Sequence, residues 1–329
     1  MKTPFLGALA LALTTTAAAA QTDIKIATIA PEGTPWVDTL KLWETNAEAA
    51  SNGEIDIQIF AGGQLGNEYD VYKQVQRGRL DGASVSGAVL SDNIPETALM
   101  STPFLSDDTA TIDCIYEGAM GDQFAAIVEE KGFEHMQWGE TGWVHVYAQD
   151  DLSDVSAAAG YKARVAPQPM SRLVWGAVGA NQTELPYAET PAALQTGLVK
   201  AGESASVSYV AFGLGKVAPH FMKTYHMHQA GALILSAKTW KKLSPEQQQI
   251  LQDSLQDTAE MRAAVRGMGD FLLGKYAEAG GPIHELSDDQ RAAWKAKVEP
   301  KWPDFVSGLG GASESLWPQL IEAKNACQG

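Results

Sequence analysis

Arg164 stands in the stretch YKARVAPQP, between small residues and two prolines, in a chain whose formal charge is −16. An arginine inside an apolar strand pattern is costly to desolvate unless an anion meets its planar fork of donors. Its partner is either an internal carboxylate, for which Glu203 is the candidate, or an anionic ligand. The 40 acidic residues against 24 basic ones argue against nucleic acid or an anionic membrane as a partner. The same field repels small anions at long range. Local donors must therefore outweigh the net charge, which points back to Arg164.

Other chemistries find less support. The stretch GASVSGA lacks the G-x-S-x-G spacing of a nucleophile elbow, and neither a G-x-x-x-x-G-K phosphate loop nor an H-E-x-x-H pair occurs. An exported enzyme is thus the weaker class, and the chain reads as a non-enzyme. His226 and His228, two apart on a strand, would face one side and could share an ion. No cysteine or close acid completes that set, so a satisfied pair is the plainer reading and no cofactor is expected. The two cysteines, Cys114 and Cys327, are too few for a disulfide scaffold. In an oxidising compartment they are expected to bridge each other, the alternative being one buried thiol and one near a frayed end.

The elements that would position these residues follow from pattern. Met1 and Lys2, the apolar block Phe5 to Leu13 and the run TTTAAAAQ read as a secretory signal cut near Ala20 and Gln21. No later stretch reaches the roughly 20 apolar residues of a membrane helix. The mature chain is therefore expected to be soluble and exported, long enough for two domains. DIKIATIA reads as a strand, and a helix follows with Thr34 at its N-cap and Pro35 at N1. EIDIQIF alternates as a half-buried strand, NEYDVYKQVQRG is helical with Gly78 as its stop, and LDGASVSGAV returns to strand. This β-α-β-α-β order implies a mostly parallel sheet with helices on its faces.

A long helical region from about Asp107 to Glu130 comes next, then one or two strands in GFEHMQWGETGWVHVYAQ. The pattern restarts with strand YKARVA, helix MSRLVWGAVGA, strand QTELPY, a helix capped by Thr190 and Pro191, and strand AGESASVSYV. YHMHQAGALILS is a further strand. Ser244, Pro245 and Gln247 form a capping box for a helix expected to run to the glycines at 267 and 269.

Three stretches, GYKARVAPQP, VGANQTELPYAETPAALQTGLVKAGES and LILSAKTWKKLSPEQQQIL, resemble the substrate-binding proteins of tripartite ATP-independent periplasmic (TRAP) transporters, of the dicarboxylate-binding, DctP-like type. The resemblance covers nearly the whole mature chain. It implies an α/β fold of two periplasmic-binding-protein lobes, with two crossing strands and a long helix spanning both. Residues 21–141 and 230–269 would form lobe I, and 142–229 and 270–329 lobe II, after a signal peptide over 1–20. It also implies a periplasmic protein that closes on a small organic acid and delivers it to a small and a large membrane subunit. A monomer is expected. A sensory module docking on a receptor is the alternative that the sequence does not separate from transport.

In such proteins the arginine of the K-x-R-V strand binds the ligand carboxylate with two prongs, and Arg164 falls on that position. Many members carry a second arginine in a G-F-R run, where this chain has Gly142, Trp143 and Val144. That departure favours a monocarboxylate over a dicarboxylate. Where the family has a ligand-contacting asparagine this chain has Ser204, after Glu203, and Ser204 keeps a hydroxyl of shorter reach. Tyr187 corresponds to an aromatic over the ligand, or else is a packed ring at a strand end. Trp143 is expected beside the ligand because it precedes the missing arginine. Glu32, on a turn fixed by Gly33, would accept from a ligand hydroxyl or ammonium, or simply favour the helix N-terminus. Ser86, with Gly87, would offer donors at the cleft wall.

Overall fold

The structure, a computed structural model, describes residues 21–328; the expected signal segment 1–20 lies outside the described residues. Nine strands make one sheet: β1 (Thr22–Ala27), β2 (Ile55–Phe60), β3 (Gly82–Val85), β4 (Phe133–Ala148), β5 (Lys162–Val165), β6 (Asn181–Glu184), β7 (Ala201–Ala205), β8 (His220–Ser236) and β9 (Ile283–Glu285). Their order is β2-β1-β3-β8-β4-β7-β5-β6, with β9 beside β8. β1 runs parallel to β2 and β3, and β5 parallel to β6 and β7, so each half has its own parallel unit. Between them β4 and β8 pair antiparallel.

The two long strands serve both halves. The C-terminal part of β8 pairs with β3, whereas its first residues pair with β9. β4 reaches β7 only from Val144 onward. Their mutual register shifts at three places, one between Glu140 and Gly142 and one between Val144 and Val146. At the latter, β4 pairs Val146 with Met222 and Val144 with Met227, so residues 223–226 form a bulge in β8 without partners on β4, and Tyr225 adopts a φ of 45° there. These irregularities bend the crossing strands where the lobes meet.

Alternation in β1 buries Ile24 and Ile26 against Leu40 and Trp43 of the Pro35–Ala50 helix. In the other half, Val165, Val174, Trp175 and Trp294 form the corresponding core. Two expected strands are shorter than their sequence patterns. β3 stops at Val85 and a helix, Gly87–Asn93, follows; β7 stops at Ala205 before the helix Ser206–Ala211. The apolar residues beyond each stop pack as helix faces, a change of period that runs this short do not reveal.

The helix expected from Ser244 does begin there with a capping box, but it ends at Asp253. Asp257 then caps a second helix, Thr258–Glu278, by accepting from the Ala259 and Glu260 amides at 2.8 and 3.3 Å. This 21-residue helix passes both glycines and packs on the Pro35–Ala50 helix and on Ser206–Ala211, spanning the lobes. The region 107–130 splits at Gly118 into Thr109–Glu117 and Ala119–Glu130. Thr34 donates to the Pro31 carbonyl rather than capping, and Thr190 lies inside its helix rather than before it. The last helix, Ser313–Cys327, packs on the two helices between 109 and 130 and is tied to them by a Cys114–Cys327 disulfide.

Candidate functional site

Between the lobes lies a cavity of about 140 Å³. At ~10–15 Å³ per water-sized group it has room for on the order of ten. It sits beyond the carboxyl ends of β1, β3, β5 and β7, where parallel units open their crevices. Arg164 is its only basic lining residue among those described.

Arg164 is 3% exposed, and its guanidinium gives Nε and Nη2 to the Leu185 carbonyl at 3.1 and 2.8 Å. That uses the side edge of the fork. The end, Nη1 with the second N–H of Nη2, has no protein acceptor among the described residues. The Tyr187 ring lies 5.3 Å from the guanidinium carbon and braces it. Glu203, the internal partner considered from sequence, is otherwise engaged. It accepts from the Ser171 hydroxyl and lies 3.2 Å from His226 Nε2. Gln168 donates to Ser171 at 2.8 Å and Gln229 to Gln168 at 2.7 Å, so a buried polar chain underlies this wall.

Ser204 and Tyr187 meet at the cavity, 2.6 Å apart, and Ser204 in turn donates to the Ala205 carbonyl at 3.0 Å. Burial, opposed by the Ser204 bond and by Arg164, pushes the Tyr187 hydroxyl up to about 12, so it stays protonated at neutral pH. Tyr187 packs edge-on against Phe212, another cavity residue.

Three further residues expected at the site lie as follows. Glu32 is outside the cavity, exposed, with its carboxylate 2.6 Å from Lys41 Nζ; its turn directs it back along its own helix. Trp143 faces away, with its ring edge-on to His228 and Tyr225 and its Nε1 donating to Thr109 at 3.2 Å. Neighbours on a strand point to opposite faces, and Val144 is the one that lines the cavity. Ser86 lies in the wall, but its N–H and hydroxyl both go to Glu68, at 3.0 and 2.7 Å.

That carboxylate and several neighbours escaped the sequence reading. Glu68 opens the Glu68–Gln76 helix, and burial, which outweighs its two bonds from Ser86, raises its pKa. Tyr69 lines the cavity and donates across the cleft to the Pro167 carbonyl at 3.2 Å. Trp36 also lines it, and its Nε1 donates to the Glu140 carbonyl at 2.6 Å. The Glu140 side chain meets His228 Nε2 at 3.0 Å and Arg266 Nε and Nη2 at 3.1 Å each. Burial pushes its pKa up, but His228 and Arg266 outweigh that and hold it below the usual range. The signal that could have found Glu68 and Trp36 is positional: both stand near the start of a helix that follows a parallel strand.

His226 and His228 each serve one carboxylate, Glu203 and Glu140, and do not face a common ion. The site thus offers one uncommitted fork, hydroxyls, aromatic walls and a carboxylate, Glu68, whose only partner among the described residues is Ser86.

The chain is similar to several known proteins. A solute-binding protein of Chromohalobacter salexigens is 25% identical over 280 residues, covering 84% of this chain and 83% of its own. The ectoine-binding periplasmic protein TeaA of Halomonas elongata is 24% identical over 283 residues, covering 84% and 83%. The crystal structure of a TRAP periplasmic solute-binding protein from Chromohalobacter salexigens with bound D-glucuronate superimposes with a TM-score of 0.86, at 24% identity, over 91% of this chain and 99% of that one. The DctP family itself matches residues 26–308, and the chain belongs to it: the bacterial extracellular solute-binding proteins, family 7.

Proposed function

We propose that this protein captures a small monocarboxylate whose remainder carries hydrogen-bond donors, as in a sugar acid or a zwitterionic solute, closes its lobes over it, and hands it unchanged to the membrane subunits of a TRAP permease. The observation that carries the reading is the free end of the Arg164 fork in a cavity with no second cation among the described residues. A carboxylate meets that end with two parallel bonds. Glu68 then selects the other end of the cargo. Its carboxylate repels a second acid group and accepts from hydroxyl or N–H donors, whereas Val144 offers nothing to a second carboxylate. The glucuronate and ectoine of the related proteins both fit this description. Residues 1–20 serve as the signal for export, and N-terminal sequencing of the secreted chain would read Gln21 first.

The test is a calorimetric and thermal-shift panel of hexuronates, aldonates, ectoine, simple monocarboxylates and succinate. A ligand at 100 times its Kd adds about 2.7 kcal/mol, a shift of several degrees. Arg164→Met removes two charge-assisted bonds worth about 1.5–3 kcal/mol each, so affinity for the best ligand should fall at least about a hundredfold. Unchanged binding by that variant, or succinate binding as tightly as the best monoacid, would refute the assignment.

A further inference from the structure

Behind the crossing strands, against the spanning helix, lies a second cavity of about 220 Å³ that the cargo site does not use. Its polar wall holds His145 from β4, Lys223 and Tyr225 from the bulged segment of β8, and Arg266 and Asp270 from the Thr258–Glu278 helix. Trp143 and Val207 supply apolar surface.

His145 is the informative residue. It is 2% exposed, and the Tyr225 backbone N–H donates to its Nδ1 at 3.2 Å. An Nδ1 that accepts leaves the proton of a neutral imidazole on Nε2. Burial first, then the charges at His226 and Lys223, push its pKa well below the usual value, so the ring is neutral. Among the described residues no acceptor reaches Nε2. His145 borders the cavity, so solvent or a ligand held there is what remains to accept from that N–H. The nearby cations are already held, Lys223 by Glu285 and Arg266 by Asp113 and Glu140. Among the described wall residues, Lys223 and Arg266 stand against one acid, Asp270.

We propose that this hinge cavity is a second binding site, for a small carboxylate with a flat apolar body, whose oxygen accepts the His145 Nε2–H while the body lies against Trp143 and Val207. Its walls come from both crossing strands and the helix that spans the lobes, and it shares Thr141 and Ala205 with the cargo cavity. An occupant therefore biases opening against closure, and by linkage the cargo biases the occupant equally.

The probe is sodium benzoate, titrated into the full mature chain with ¹⁵N-labelled histidine. The His145 Nε2 resonance should move saturably in the wild type and in Arg164→Met, and His145→Phe should weaken benzoate binding about tenfold, as expected for one lost hydrogen bond in a buried site. No saturable response in the millimolar range means a pocket for water alone and overturns the proposal. So does binding that survives His145→Phe but vanishes in Arg164→Met, which would put benzoate in the cargo cavity. The wild-type resonance keeps the test decisive even where His145→Phe folds poorly, and failure here leaves the cargo reading untouched.

Discussion

Arg164 gives its side edge to Leu185 and keeps its end for an anion, and Glu68 stands in the same cavity with a charge that only Ser86 eases. Two carboxylates that line the cavity, Glu68 and Glu140, respond to pH with opposite signs. Glu68 has its pKa raised by burial, so the folded chain holds that proton more tightly than the unfolded one. Its contribution is present at low pH and is lost as pH rises above the ordinary glutamate value of about 4.3. Glu68→Gln can keep both contacts to Ser86, so its Tm at pH 7 should equal or exceed that of wild type and fall less between pH 5 and 8, while cargo affinity drops. A Tm several degrees lower would show that the charge is not a cost. Glu140 has its pKa lowered, so its contribution is present above about 4.3 and is lost as pH falls through the depressed value. Arg266→Met strands that buried carboxylate with His228 alone. Denaturant unfolding at pH 7 should show a loss of roughly 3 kcal/mol, the low end for a broken buried pair.

At the scale of elements, the sequence was readable where one pattern rules a segment and opaque where two meet. Arg164 could be found because a charged residue interrupts an apolar strand, and the alternation of Ile55, Ile57 and Ile59 gives β2 directly. Trp143 is expected beside the ligand because it precedes the position of the second arginine, but strand neighbours point to opposite faces and Val144 is the one that lines the cavity. Glu68 was passed over because helix-start residues read as caps, and nothing local shows that a cap borders a cavity. Gly231 marks another limit. It sits where β8 crosses β3, and a Cβ there would run into the Val85 carbonyl oxygen, a contact made 146 residues away in sequence (231 − 85). Gly231→Ala should cost about 1–3 kcal/mol in chemical unfolding, as forced overpacking does. A neutral result would mean that the crossing tolerates a wider spacing than the fold implies.

For the whole molecule, the bond between Cys114 and Cys327 closes a sequence separation of 213 residues. A Cys114→Ser, Cys327→Ser double variant should be less stable by about 2–4 kcal/mol, with the Tm several degrees lower, because the unfolded chain regains the freedom of a very long loop. Oxidised wild type and variant with equal Tm would show that the last helix holds by packing alone. Tyr69 donates to the Pro167 carbonyl across the cleft, so a scattering profile should shrink when cargo is added and do so less in Tyr69→Phe. Of the nine tryptophans only Trp36 lines the cargo cavity, with its N–H fixed to the Glu140 carbonyl. The protein therefore carries its own optical gauge: cargo that displaces water from beside that indole should shift its emission to shorter wavelength, and replacing Trp36 with phenylalanine should silence the change without a label ever having been attached.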